Sequence, residues 1–309
     1  MVASRPLRGI ALKLASVLVF IVMASLIKAT AAHVPAGQAV FFRSAFAIPV
    51  IVAWLAWRRE LATGLKTANP MGHVWRGIVG TLAMGLGFAG LGYLPLPEVT
   101  AIGYAAPLLT VIFAAMFLGE EVRAFRISAV ALGMTGVLIV LAPRLSLDPE
   151  TASLAEAFGA MLVLGGAVFA ALAQVFVRKL VQTEATAAIV FYFSLTATLL
   201  SLVTLPFGWV WPTPWEAILL VAAGLMGGVG QILLTSSYRE ADASLVAPFD
   251  YASMLFALAI GYFVFAEVPT LTMLGGAVLI VLAGILIIWR ERQLGLERAR
   301  QRKAMTPQG

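Results

Sequence analysis

Apolar residues in this chain come in long runs broken by short polar bursts, with no stretch of strand-like alternation between them. A helix rises about 1.5 Å per residue, so roughly 20 apolar residues cross the hydrocarbon core of a bilayer. Runs of about that length cover residues 9–29, 38–57, 74–93, 98–118, 127–142, 157–177, 187–207, 215–236, 245–265 and 271–289. Each predicts a membrane-spanning helix. Together they predict an all-α integral membrane protein of ten transmembrane helices, with no room for a separate soluble domain.

The polar bursts orient those helices, because Lys and Arg are retained on the cytoplasmic side. One set of connections holds Arg5, Arg8, Arg58, Arg59, Lys66, Arg76, Arg123, Arg126, Arg178, Lys179 and Arg239, and the segment from Arg290 to Lys303 continues it. The opposite set holds only Arg144. Lys13, Lys28 and Arg43 fall inside or at the edge of a span. Both termini are therefore expected in the cytoplasm, with the protein in the inner (cytoplasmic) membrane. The rival reading takes residues 1–31 as a cleaved signal peptide, with Ala29-Thr30-Ala31 as its small-residue site. It conflicts with the repeat below, which needs the first span.

The second half of the chain echoes the first in order. Val40, Phe41, Phe42 and Ser44 match Val190, Phe191, Tyr192 and Ser194, with Lys28 on Arg178 in the same register. Trp75, Ile78 and Ala83 match Trp215, Ile218 and Ala223; Val99, Tyr104 and Glu120 match Val246, Tyr251 and Glu267. Ala129, Val130, Gly136, Leu138 and Ile139 match Ala277, Val278, Gly284, Leu286 and Ile287. An odd number of spans per half makes the second half enter the membrane upside down. Two inverted five-helix repeats of this kind are typical of secondary transporters, with the substrate near the midplane between them. The expected division is residues 1–145, residues 146–290 and a basic cytoplasmic tail, 291–309.

Composition narrows the function further. The chain is 61% hydrophobic and only 12% charged, about half the charge that a water-facing surface carries. A soluble enzyme is excluded. The absence of Cys, with His33 and His73 as the only imidazoles, argues against disulfides, thiolate chemistry and a Cys- or His-built metal site. The net charge of +6 resides in the orienting bursts rather than in a basic patch with interleaved aromatics, so no nucleic-acid partner is expected. No cofactor is expected either: Gly85-Leu-Gly87-Phe-Ala-Gly90 spells G-x-G-x-x-G but lacks the strand and βαβ unit of a dinucleotide site. A Walker A sequence is missing, so the chain does not carry its own ATPase.

The run Tyr238 to Tyr251, continuing to Phe265-Ala-Glu267, resembles the second repeat of the EamA family in the drug/metabolite transporter superfamily. Its counterpart from Tyr93 through Val99 to Gly119-Glu120 is similar to the first repeat. The likeness extends over nearly the whole chain. It implies ten helices in two inverted repeats, a central cavity lined by helices 1, 3, 4, 6, 8 and 9, and peripheral helices 5 and 10.

Candidate substrate-binding residues follow from polar groups stranded in apolar spans. Asp250 lies about five residues into the ninth span; a carboxylate there costs up to about 3 kcal/mol unless it faces a wet cavity, pairs with a cation or is protonated. Nearby Pro248 is expected to bend the helix. Arg43 and Lys28 lie towards the outer side, either reaching the interface with their long stems or forming a cationic vestibule. Lys13 is expected to extend to the cytoplasmic surface. Tyr104 and Tyr251 occupy equivalent positions, so inversion predicts one in the outer half and one in the inner half. Gln174 and Gln231 are uncharged polar groups that bond either a neighbouring helix or a ligand. Glu120 and Glu267 read as structural residues at helix ends. Glycine clusters in the third and eighth spans allow close approach or bending along the pathway.

The resulting expectation is a secondary transporter, not an enzyme, moving a small amino-acid-like or amphipathic metabolite by alternating access, with export preferred. Its partners are that substrate, the lipid bilayer and, for coupling, protons; the chain is a monomer or a homodimer. The alternatives are an uptake permease for a nucleoside-like or cofactor-like metabolite, and an integral-membrane transferase. The last would want clustered carboxylates, whereas Glu120/Glu121, Asp148/Glu150 and Glu240/Asp242 lie in three separate loops.

Overall fold

The computed structural model describes residues 6–118, 124–144, 153–180, 183–240 and 247–305. Every regular element among them is helical: α1 (Pro6–Thr30), α2 (Ala36–Ala45), α3 (Ala47–Trp57), α4 (Leu61–Gly64), α5 (Pro70–Leu91), α6 (Leu96–Gly103), α7 (Ala105–Leu118), α8 (Ala124–Leu141), α9 (Leu154–Leu180), α10 (Thr186–Ser201), α11 (Pro214–Glu240), α12 (Ala252–Phe265) and α13 (Leu271–Met305), with short 3₁₀ turns between some of them. Among the described residues, nine helical stretches are long and apolar enough to cross a membrane, and Phe249–Phe265 is a shorter tenth. Glu120 and the loop acids Glu121, Asp148, Glu150 and Asp242 lie outside the described residues.

Proline explains where spans break. Pro49 has no amide hydrogen for the carbonyl of Ala45 four residues earlier, and the second span divides there into α2 and α3. Pro107 does the same to the carbonyl of Gly103, dividing the fourth span into α6 and α7 at Tyr104. The ninth span opens as a 3₁₀ turn, Ala247–Tyr251, before α12 begins. Pro248 therefore acts in the first turn of the span, and Asp250 precedes the α-helix rather than lying inside it. Tyr104 and Tyr251, equivalent in the repeat, each sit at the break of their own span.

The two halves interlock. α1 packs along α11, α5 along α9, and α8 along α13. These are spans one with eight, three with six, and five with ten, and exchanging the repeats turns the first pairing into the second and leaves the third unchanged. Fold and repeat thus agree on an all-α membrane protein built as two inverted five-helix repeats. Spans five and ten meet backbone to backbone: a Cβ on Gly136 would lie 2.7 Å from the carbonyl oxygen of Gly276, and one on Gly276 would lie 2.6 Å from that of Gly136. Lipid supplies no hydrophobic drive between helices, so contact this close, which larger side chains would prevent, is how such spans associate. Leu, Phe and Val side chains cover the outside, while Trp57, Trp75, Trp211, Trp215 and Trp289 are exposed near span ends, where indoles favour the membrane interface.

Candidate functional site

The charges of the first span are drawn inward. Lys13 is 1% exposed, and its Nζ lies 2.7 Å from Asp250 Oδ1. The expectation that Lys13 extends to the cytoplasmic surface is thereby corrected. α1 runs between α11 and α12, and the carboxylate offers a counter-charge within the protein. Of the three outcomes open to Asp250, pairing with a cation is the one found; its side chain remains 50% exposed.

At the other end of α1, Lys28 Nζ lies 2.9 Å from Glu267 Oε1. It also donates to the carbonyls of Leu94 at 2.7 Å and Leu91 at 3.3 Å, and sits 5.5 Å from the Phe265 ring centre. The other Glu267 oxygen accepts the Leu96 N–H at 2.9 Å. Spans one and nine are therefore clasped at both ends, Lys13 to Asp250 and Lys28 to Glu267. Glu267 lies just past the end of α12, as its position suggested, and ties that end to Lys28 and to the start of α6. Lys28 and Arg43 have different neighbours, so the shared cationic vestibule is not formed.

The tyrosines are not apportioned to opposite halves. Their ring centres are 5.1 Å apart with planes at 61°, an edge-to-face geometry that aromatic pairs favour. The Tyr104 hydroxyl hydrogen-bonds Ser253 Oγ and approaches the carbonyls of Asp250 and Tyr251 at 3.5 Å. Inversion alone would separate the two rings; the breaks at Tyr104 and Tyr251 bring them together instead. The Tyr251 ring also lies against Gly284 of α13, and both rings pack in an apolar cluster with Leu108 and Met254. Gln174 is exposed on α9 and Gln231 half-buried on α11. Among the described residues, neither glutamine hydrogen-bonds these groups.

Arg43 behaves differently from the lysines. It is 3% exposed, its guanidinium lies 5.5 Å from the Phe193 ring centre, and Arg76 approaches the same ring at 4.1 Å. Counted from sequence as an orienting loop charge, Arg76 instead lies within α5, a correction to its placement. Glycines make room for both. A Cβ on Gly80 would lie 2.0 Å from Arg76 Nη1 and 2.8 Å from Phe193 Cε2, and one on Gly227 would lie 3.2 Å from Arg43 Nε. The signal that would have marked Arg76 is Gly80 one turn further along, which leaves space for a long side chain to lie up the helix.

Further ties close the ends of the bundle. Arg144 holds Glu98 in a two-point bridge, Nε to Oε2 at 2.9 Å and Nη2 to Oε1 at 2.6 Å, and pairs with Glu156 as well. On the opposite face Glu184 accepts the backbone N–H groups of Ala68 at 2.9 Å and Asn69 at 2.8 Å, with His73 Nε2 3.4 Å away. Burial raises the Glu184 pKa, but those N–H donors, His73 and Thr67 together outweigh it and hold the carboxyl below its ordinary value. A carboxylate whose pKa is depressed in the fold stabilises it above the unfolded value and loses that contribution as pH falls through the folded one. The contribution of Glu184 to this tie between the halves is therefore lost under acid conditions.

The sequence model of the EamA-like transporter family matches residues 7–142 and 157–289. The chain is 32% identical over 281 residues to the pseudopaline exporter CntI of Pseudomonas aeruginosa, covering 90% of this chain and 94% of that one. It is 29% identical over 257 residues to an S-adenosylmethionine uptake transporter of Rickettsia bellii, covering 83% and 84%. A riboflavin transporter of Rhizobium johnstonii is 28% identical over 264 residues, covering 83% and 82%. A solved crystal structure superposes with a TM-score of 0.66 at 19% identity over 93% of this chain and 98% of the other, a likeness of fold.

Proposed function

This chain belongs to the EamA-like transporter family, and from that premise we propose that it is a secondary transporter exporting a small amino-acid-like or amphipathic metabolite by alternating access. The carrying observation is the interlocked pair of inverted repeats with spans four and nine broken at equivalent tyrosines. Interrupted spans at matching positions in two inverted halves are where transporters of this architecture bind substrate. In this reading residues 1–145 and 146–290 rock against each other, and Asp250 and the Tyr104–Tyr251 pair border the pathway. A proton gradient drives transport through Asp250, and the chain works in the inner membrane with both termini in the cytoplasm and residues 291–309 as a cytoplasmic tail. No catalytic step is invoked. The export direction is supported by the exporter among the relatives; uptake is the second reading, supported by the S-adenosylmethionine and riboflavin transporters.

The test is a metabolite screen of uptake and efflux with the full chain in proteoliposomes, run with and without an imposed proton gradient. Export predicts substrate movement from the face bearing the termini, and collapse of accumulation when an ionophore dissipates the gradient. Accumulation in the reverse direction would select the uptake reading. Topology is checked independently: reporter fusions after Arg59, Arg126, Lys179, Arg239 and Arg290 are expected to score cytoplasmic, and one after Ser146 external. A cytoplasmic score at Ser146 would sink the inverted arrangement.

A further inference from the structure

We propose that Arg43 and Arg76, with Phe193 between them, form a binding site for an anionic oxygen group, a carboxylate or a phosphate, on the transported molecule. The proposal rests on the transporter reading and adds the charge class of its substrate.

Lys13 and Lys28 face the carboxylates of Asp250 and Glu267, so those four groups neutralise one another in pairs. Among the described residues Arg43 and Arg76 have no such carboxylate. Among the described residues neither forms an ion pair, and the Nε and Nη1 atoms of both are buried without a hydrogen-bond partner. Buried donors in folded proteins are almost always satisfied, and each exception calls for an explanation. A lysine so placed can lose its proton; a guanidinium does not. Two permanent cations in an apolar bundle, close enough to share one ring, repel each other and leave several donors unmade. The ring face of Phe193 attracts both, but it accepts none of those hydrogen bonds in the structure. An anion with several oxygens would supply both the charge and the acceptors, and paired guanidinium forks suit carboxylate and phosphate geometry.

Placement supports the same conclusion. α2 and α5 start at opposite ends of the bundle, and each arginine lies roughly 10 Å along its own helix, so the two side chains converge from opposite sides onto Phe193 of α10. Arg43 also borders Gly227 of α11, whose missing side chain lies next to Met23 of α1 as well. Both repeats therefore contribute, as expected of a substrate site between inverted halves. Arg43 and Phe193 are themselves equivalent in the repeat, each one position before the matched Ser44 and Ser194. The hydroxyls of those serines are likewise buried and without a hydrogen-bond partner. Arg43 is too buried for contact with a lipid headgroup, which makes a solute the occupant.

The experiment uses the purified full chain in detergent and reads its melting temperature against citrate and inorganic phosphate. Sodium chloride at matched ionic strength and the dication putrescine are the controls. Citrate or phosphate is expected to raise the melting temperature by roughly 5 °C at about 100 times its dissociation constant, with chloride and putrescine inactive; which anion acts separates a carboxylate site from a phosphate site. Arg43→Gln and Arg76→Gln should each weaken that affinity about tenfold or more, while Arg76→Lys keeps part of it. Without ligand, both glutamine variants should melt no lower than the parent, because each removes an uncompensated buried charge. A clear fall in both would assign the pair a structural role and overturn the proposal, as would the absence of an anion-specific rise in the parent or an equal rise in the variants. If either variant cannot be purified, equilibrium binding of citrate and phosphate to the parent and to Arg76→Lys decides: saturable binding that Arg76→Lys weakens supports the site, and no saturable binding to the parent overturns it. Transport is scored separately. A compound without an acidic group, moved equally by parent and both variants, sinks the anion site and leaves the transporter reading intact; an anion-specific shift in a chain that moves nothing does the reverse.

Discussion

Asp250→Asn is expected to lower the melting temperature of the full chain in detergent by more than Lys13→Met does, although both changes break the same ion pair. Lys13 is 1% exposed and Asp250 half exposed, so the partners left behind differ. Removing the carboxylate leaves an ammonium group in the protein interior facing a neutral amide, and breaking a buried pair in this way costs about 3–5 kcal/mol. The partial exposure of Asp250 reduces that to about 2–3 kcal/mol, since the pair is not wholly desolvated to begin with. Removing the lysine leaves a carboxylate that is already half exposed, and its cost should stay below about 1 kcal/mol. The asymmetry has a consequence for transport assays. Loss of activity in Asp250→Asn reports on the proton or substrate role of Asp250 only if Lys13→Met, which keeps the carboxylate, is measured beside it. Equal destabilisation by the two variants would contradict the buried placement of Lys13.

Glu267→Ala should lower stability by about 3 kcal/mol, and exchanging the charges as Lys28→Glu with Glu267→Lys should not restore it. A symmetric ion pair tolerates exchange; this one does not, because its members make obligatory backbone contacts of opposite kinds. Glu267 accepts the Leu96 N–H, while Lys28 donates to the Leu91 and Leu94 carbonyls. After exchange a lysine would face an N–H donor and a glutamate would face two carbonyl acceptors. A hydrogen bond to a charged group contributes about 1.5–3 kcal/mol, and an unsatisfied buried donor costs a similar amount. Glu267→Gln should be milder than Glu267→Ala because its amide carbonyl still accepts from Leu96. Thermal melting of the single and exchanged variants checks the order, and full recovery in the exchanged protein would show that charge alone holds the clasp. The clasp joins α1 of the first repeat to the end of α12 in the second, so the proposed rocking of the repeats would have to open it.

Which features were legible in the chain follows from the range of the interactions that create them. Ten spans, the repeat and the membrane setting are written in local composition: a run of about 20 apolar residues has few options in water, and an odd number of spans per half compels inversion. The position of Glu267 at a span end could also be read, since it follows from where the apolar run stops. Side-chain partners were not legible, because a charge in a span is stabilised by whichever neighbour packing supplies. The long stem of Lys13 points by itself to the surface, and only the packing of α1 beside α12 brings Asp250 within 2.7 Å. Pseudo-symmetry by itself sets Tyr104 and Tyr251 far apart, yet proline-linked breaks bring their rings into contact. Arg76 has the sequence setting of a loop charge, and only the glycine at position 80 and the approach of α10 place it beside Arg43 on one aromatic ring. The sequence by itself determined that this chain crosses the membrane as two inverted halves, because hydration of the backbone and side chains acts residue by residue. Which charges neutralise one another, and that Arg43 and Arg76 meet no carboxylate among the described residues, was decided only by tertiary structure, because Coulomb and hydrogen-bond partners in a membrane bundle come from helices distant in sequence.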